Sequence, residues 1–276
     1  MRSLLMIMAV IAATSASSAA QESRYYELPK SDYPHDVGAG PSGDVWYSGQ
    51  NVGIAGRLNP GSGEVERIAL GRKSAPHGVI VGPDGAPWFT GQSGIYGRLD
   101  PATGDMRVWD APKGHGPYGI TATPKGDIWF VSLAGSYLAN ADLESGAATV
   151  YEPPTKDQGA RRVWSDSKGR LWISEWNSGN VSVYDPIGKN WRQWKLPGNK
   201  PQTYAVWVDP DDKVWLSDWA ANAIVRFDPA SEKFESFPSN RANSGVRQML
   251  GRKGETWIAE SGTERIRVIR HAVRTN

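Results

Sequence analysis

Histidines, tyrosines and acidic residues fall at two fixed distances from a series of regularly spaced tryptophans. The upstream position lies eleven residues before each tryptophan, and the downstream position lies three residues after it. Imidazole exchanges protons near neutral pH, so a histidine that meets a carboxylate is a candidate for acid–base chemistry. The upstream positions are His35, His77, Tyr118, Arg161, Tyr204 and, where the alignment is loose, Val246 or Arg247; the downstream positions are Gly49, Gly91, Ser132, Glu175, Asp218 and Glu260.

The tryptophans themselves mark a repeat, with intervals of 42, 41, 43, 43 and 42 residues. Within each repeat, short apolar runs alternate with turn sequences such as GPDG and PATG, in which proline presets φ and glycine accepts a positive φ. A strand-rich repeat of this length is typical of a β-propeller. The sequence therefore predicts an all-β, six-bladed β-propeller of four-stranded antiparallel blades, with the tryptophans packed between blades. They are Trp46, Trp88, Trp129, Trp172, Trp215 and Trp257.

The two ends of the chain predict how the ring closes. After Trp257 the sequence supplies one more strand, around 265–269, and then ends without a fourth. Near the N-terminus, residues 26–29 (YELP) match the end of a fourth strand at 194–197 (WKLP). We expect the N-terminal strand to complete the last blade, which would remove an exposed sheet edge. Closure also places the blade of Glu260 beside the blade of His35.

Both positions should converge on one end of the central channel, here called the mouth. Neighbouring blades meet near the axis, so residues on adjacent blades should lie within roughly 10 Å, about one sheet-packing distance. Trp176 and Trp219 directly follow two of the acids and predict an aromatic rim. A plainer alternative is that these side chains only hydrate the channel, or that Arg161 pairs with Glu175.

Composition and targeting signals limit the function classes. Residues 1–20 are typical of a secretory signal peptide, and residues 21–276 should form one β-propeller domain. The chain has no Cys, which excludes disulfides and thiol chemistry, and its formal net charge of +2 does not indicate nucleic-acid binding. We expect a periplasmic or secreted monomer without a membrane span after signal cleavage, acting on a small molecule.

The segment 75–104, APHGVIVGPDGAPWFTGQSGIYGRLDPATG, resembles the repeat of the virginiamycin B lyase family, and the resemblance extends over about 25–270. It implies a ring-opening elimination of a cyclic depsipeptide ester, with a histidine as base and Mg²⁺ held by carboxylates. Carried over by position, it implies His35, His77 and Glu260 as catalytic residues and Glu175, Asp218 and Glu260 as metal ligands. We interpret Tyr118, Arg161, Tyr204, Trp176 and Trp219 as substrate-binding residues.

Two other functions stay open. A non-catalytic binding propeller would use the aromatic rim and its nearby charge to hold a peptide, a glycan or a partner protein. A lactone hydrolase similar to gluconolactonase would also have six blades and a channel cation. That resemblance would need a Glu near the first strand and Asn ligands deep in the channel, whereas Asn177 and Asn222 fall in outer turns of the predicted blades.

Overall fold

The computed structural model describes residues 22–39, 43–49, 51–69, 79–83, 85–100, 103 and 105–271. The predicted signal peptide and His77 lie outside the described residues. The strands in this part of the chain are β1 (Glu22–Glu27), β2 (Val37–Ala39), β3 (Val45–Gly49), β4 (Ile54–Leu58), β5 (Val65–Ala69), β6 (Val79–Val81), β7 (Pro87–Gly91), β8 (Ile95–Leu99), β9 (Met106–Asp110), β10 (Pro117–Ala122), β11 (Ile128–Ser132), β12 (Tyr137–Ala141), β13 (Ala148–Tyr151), β14 (Ala160–Ser165), β15 (Leu171–Glu175), β16 (Asn180–Asp185), β17 (Asn190–Lys195), β18 (Thr203–Val208), β19 (Val214–Asp218), β20 (Ala223–Asp228), β21 (Lys233–Pro238), β22 (Val246–Arg252), β23 (Glu255–Glu260) and β24 (Arg265–Arg270). A short 3₁₀ helix at Ser261–Thr263 precedes β24.

These strands form six antiparallel four-stranded sheets, which confirms the predicted six-bladed propeller. Blades 1 to 5 take four consecutive strands each, beginning at β2, β6, β10, β14 and β18. Blade 6 has the order β1-β24-β23-β22, so the N-terminal strand completes it as predicted, with Tyr26 opposite Ile266. Blade 6 then meets blade 1, where the amide of Val37 donates to Oε1 of Gln248 at 2.9 Å.

Five of the six repeat tryptophans are buried between blades. Trp172, for example, stacks on Trp194 at 5.7 Å between ring centroids and contacts Phe227 of the next blade. The expectation is wrong for Trp46, which is 38% exposed. Its blade faces the short strand β6 across a cavity of about 310 Å³, which Trp46 and the exposed Val79 both line.

Hydroxyl groups two residues after the tryptophans join neighbouring inner strands. Ser174 Oγ accepts the amide N–H of Arg162 at 3.1 Å and donates to the carbonyl of Tyr204 on the next blade. Ser217 repeats this arrangement one blade later. Because each hydroxyl bonds both to its own inner strand and to the following one, these residues fix the position of the strands that reach the mouth.

Candidate functional site

A β-bulge places two consecutive side chains at the mouth end of an inner strand. In β14 the pairing with β15 shifts between Ala160 and Val163, so Arg161 and Arg162 both fall within the bulge. Equivalent shifts occur in β10, β18 and β22. The bulge re-aims side chains that regular strand alternation would send to opposite faces. Arg161 reaches the aromatic rim, whereas Arg162 contacts a residue of blade 1.

An ion pair crosses the channel between Arg162 and Asp36. Arg162 Nη2 lies 2.9 Å from Asp36 Oδ1, and Arg162 is only 8% exposed. Blades 4 and 1 are opposite each other in a ring of six, so this contact spans the axis. Burial alone would lower the pKa of Arg162, but the Asp36 carboxylate and nearby tyrosines outweigh it, and the pKa is raised. The pair lies within the channel, where both side chains line a cavity of about 100 Å³.

A second contact links blades 3 and 5 beside this ion pair. The hydroxyls of Tyr118 and Tyr204 are hydrogen-bonded, and the Arg162 guanidinium lies 5.3 Å from the centroid of the Tyr118 ring. Burial, followed by the adjacent Tyr204 hydroxyl, raises the pKa of Tyr118 above its ordinary value. Tyr118 therefore stays protonated at neutral pH and can donate a hydrogen bond.

His35 is oriented by the same carboxylate that binds Arg162. Its Nδ1 lies 2.7 Å from Asp36 Oδ1, and the residue is 6% exposed. An ionised Asp36 accepts from Nδ1–H, which leaves Nε2 as the basic nitrogen of the neutral imidazole. His35 lines a pocket of about 280 Å³ at the junction of blades 6 and 1, together with Tyr33, Asn51, Arg247, Ser261 and Gly262.

Three aromatic rings and two arginines cluster at the rim of the mouth on blades 4 to 6. Tyr204 stacks on Trp219 at 5.2 Å with an interplanar angle of 12°, and the Trp176 ring packs edge-on against both, at 5.8 and 5.3 Å between centroids. The Arg161 guanidinium lies 4.2 Å from the Trp176 centroid and 4.5 Å from the Tyr204 centroid, and Arg247 lies 5.4 Å from Trp219. We refer to these five residues as the arginine–aromatic cluster.

Arg161 and Glu175 do not form an ion pair in the structure, in contrast to the plainer alternative from the sequence. Glu175 is fully buried and accepts hydrogen bonds from Ser178 Oγ at 2.5 Å and from Gln193 Nε2 at 2.8 Å. Asp218 accepts backbone N–H groups, including that of Gln202 at 2.9 Å. Both carboxylates therefore stabilise turns within their own blades.

Glu260 also has partners of its own, in blade 6 and in the segment that connects blade 5 to blade 6. Its Oε2 forms an ion pair with Arg265 Nη2 at 2.6 Å, and its carboxylate accepts from Ser239 and Thr263 at 3.0 Å each. Ring closure brings its blade beside that of His35, but the carboxylate bonded to His35 is Asp36. In the part of the chain that the structure describes, no three His, Asp or Glu residues are grouped to hold a metal ion. Glu175, Asp218 and Glu260 thus do not fit one Mg²⁺ site, and Mg²⁺ stays a prediction from the resemblance.

Sequence reasoning missed Asp36 and Arg162 as members of the site, and it left Arg247 as one of two alternatives at its position. The first two directly follow predicted mouth residues, in the pairs His35-Asp36 and Arg161-Arg162. A strand that alternates regularly would turn one member of each pair away from the axis. The signal that could have found them is the repeated polar pair at the start of inner strands, which a bulge can admit on one side.

The chain is similar to known proteins both in sequence pattern and in fold. The model of the Virginiamycin B lyase family matches residues 15–200. The fold is similar to virginiamycin B lyase from Staphylococcus aureus, with a TM-score of 0.79 and 18% identity over 91% of this chain and 100% of the other. A catalytically inactive histidine-to-alanine variant of that enzyme with quinupristin gives a TM-score of 0.68 and 21% identity, covering 93% of this chain and 90% of the other.

A further structural neighbour is an extracellular domain from B. thetaiotaomicron, with a TM-score of 0.57 and 15% identity over 85% of this chain and 34% of the other. A search of curated proteins gave no match. The described residues contain no helix with the length and apolar character needed to cross a bilayer.

Proposed function

Because the chain belongs to the virginiamycin B lyase family, we propose that it opens the ring of a cyclic depsipeptide ester by elimination at the mouth of the channel. The observation that carries this proposal is a series of bonded side chains, from His35 to Asp36 to Arg162, beside a pocket of about 280 Å³. A histidine whose Nδ1 is held by a carboxylate is the usual arrangement of a general base.

In this proposal His35 removes a proton from the carbon next to a carbonyl group of the ring. The electron pair of that C–H bond forms a double bond to the neighbouring carbon. The bond between this neighbouring carbon and the ester oxygen breaks, and the oxygen leaves as part of a carboxylate. Asp36 holds the imidazole ring in place, and the Arg162 charge keeps Asp36 ionised. The imidazolium then returns its proton to water.

Export and antibiotic inactivation belong to the same proposal. The N-terminal residues 1–20 have the pattern of a secretory signal, and the structural neighbours include an extracellular domain. An enzyme outside the cytoplasm would meet a streptogramin before it enters the cell. The three carboxylates predicted as Mg²⁺ ligands are bonded to neighbouring side chains or backbone amides, so the proposed step uses residues of the chain alone.

Incubation of the purified protein with quinupristin tests the proposal. Elimination gives a ring-opened product of unchanged mass, whereas a lactone hydrolase would add one water, so liquid chromatography with mass spectrometry separates the two. We expect His35→Gln to slow conversion by roughly 100-fold or more, the range for a lost general base. His115→Gln, on an exposed loop, is the control. Equal rates for wild type and His35→Gln, or no ring opening by wild type, would contradict the lyase proposal. A parallel incubation with EDTA tests the Mg²⁺ prediction.

A non-catalytic binding propeller is the second candidate, and the arginine–aromatic cluster favours it. Stacked rings beside charged groups suit ligand binding without chemistry. This candidate predicts that quinupristin binds and is recovered unchanged, and that Trp219→Ala weakens binding. Trp194→Ala, on an outer strand, serves as the control, since its ring packs between blades rather than at the mouth.

A further inference from the structure

We propose that Arg161 and Arg247 form a binding site for the carboxylate of a peptide-like ligand at the mouth. Neither arginine forms an ion pair with any residue that the structure describes. Most other arginines are paired, as Arg57 is with Asp44 and Arg192 with Glu232. Two guanidiniums of the arginine–aromatic cluster therefore have no counter-charge among the described residues and leave positive charge at the rim.

The acids nearest in the repeat do not neutralise this charge. Glu175 and Asp218 follow the same tryptophan repeats, but their oxygens accept hydrogen bonds from turns of their own blades. Glu260 is paired with Arg265. Asp36, the carboxylate that reaches the channel, is already shared by His35 and Arg162. The rim thus favours an anionic group over a divalent cation.

Two aromatic rings hold the Arg161 guanidinium at the rim. It lies 4.2 Å from the Trp176 centroid and 4.5 Å from the Tyr204 centroid, and these two rings are 5.8 Å apart and almost perpendicular to each other. The guanidinium therefore packs in the angle between the rings, and its Nε is buried without a hydrogen-bond partner among the described residues. The N–H groups that the rings leave uncovered can donate to a carboxylate, which suits the fork geometry of a guanidinium.

Arg247 connects this cation to the pocket of His35. It lies over Trp219 and also lines the pocket of about 280 Å³ that contains His35 and Asn51. That volume and its aromatic border fit a peptide-sized ligand better than a bare inorganic anion. Elimination of an ester would produce a new carboxylate beside His35. The assignment of that product as the ligand rests on the proposed function.

Binding measured apart from turnover tests the inference. The probes are N-acetyl-phenylalanyl-glycine with a free carboxylate and the same peptide as its C-terminal amide, titrated by calorimetry into the full protein. We expect the acid to bind at least about tenfold more tightly than the amide, a difference of roughly 1.4 kcal/mol. We expect Arg247→Met and Arg161→Met each to remove most of that preference.

Arg192→Met is the matched control, because Arg192 also stacks on a tryptophan, at 4.7 Å from Trp194, but is paired with Glu232 on an outer strand. It should keep the full preference. Equal affinities for acid and amide, or no binding of the acid, would overturn the inference even if quinupristin is turned over. Equally tight binding of inorganic phosphate would overturn the assignment to a carboxylate. Thermal unfolding of each variant confirms that it is folded.

Discussion

At the scale of single residues, Asp36 connects the two sides of the ring. One oxygen accepts from His35 and from Arg162, which come from blades 1 and 4. Arg162 is buried, so its charge depends on this carboxylate for compensation. The same atom therefore orients the proposed base and links inner strands on opposite sides of the channel.

Replacing this carboxylate should destabilise the protein. Asp36→Asn leaves the buried Arg162 without a counter-charge, and we expect a loss of about 1–3 kcal/mol in the free energy of unfolding, below the range for a fully buried pair because the Asp36 side chain is 27% exposed. Urea denaturation measures it. The double variant Asp36→Asn, Arg162→Met should recover part of the loss.

Glu232→Gln is the control for this cycle, because both side chains of its ion pair with Arg192 are about half exposed. It should cost less than about 1 kcal/mol. If the losses in the free energy of unfolding caused by Asp36→Asn and Arg162→Met simply added in the double variant, the two side chains would not be coupled. The ion pair would then not be part of the proposed site.

Sequence spacing located the mouth residues but not their partners. The tryptophan offset identified His35, Arg161 and Tyr204 without any structural knowledge, because the repeat is regular. It could not tell that Glu260 bonds to Arg265, since that contact depends on the conformation of one turn. Nor could it place Asp36 opposite Arg162, because a cross-channel distance depends on all six blades.

At the scale of elements, the bulged inner strands decide what faces the channel. Neighbouring strands β10 and β14 approach closely at Gly119: a Cβ there would lie 2.6 Å from the Cα of Arg162 and 2.8 Å from the carbonyl oxygen of Arg161. Those are backbone atoms of the bulge itself. The turn sequences predicted four strands per blade, but a bulge is set by contacts with the adjacent blade and left no clear mark in the repeat.

Gly119→Ala should therefore push β14 away and displace both arginines. We expect a destabilisation of about 1–3 kcal/mol, typical of overpacking, and a weaker preference for the peptide acid over its amide. Gly38→Ala, in the inner strand of blade 1, is the matched control because a Cβ there meets nothing within 4 Å. Thermal unfolding compares the two. Equal melting temperatures would mean that the inner strands are not tightly fixed at the mouth.

At the scale of the whole molecule, ring closure holds the mouth together. The match between the first strand and an outer-strand sequence predicted this closure, and β1 does pair with β24. The exposure of Trp46 beside a cavity of about 310 Å³ was not predictable, because the tryptophan at the same position of the other five repeats is buried. Closure matters for the site, since the pocket of His35 is built from residues of blades 1 and 6.

Tyr26 is the residue through which closure can be tested. It is buried in β1, its ring stacks on Trp257 at 5.8 Å, and its hydroxyl donates to the carbonyl of Pro60 in blade 1 at 3.0 Å. Tyr26→Ala should cost about 3 kcal/mol, which lowers the melting temperature by roughly 6–12 °C for a chain of this size. Scanning calorimetry measures the shift.

Glu22→Ala, at the exposed start of the same strand, should leave the melting temperature nearly unchanged. If Tyr26→Ala behaved like this control, the N-terminal strand would contribute little to the stability of the ring.

Loosening of β1 would also free the edge of β24 and separate the blades that supply His35 and Arg247. We therefore expect Tyr26→Ala to weaken binding of the peptide acid below its melting temperature, although Tyr26 does not line the pocket.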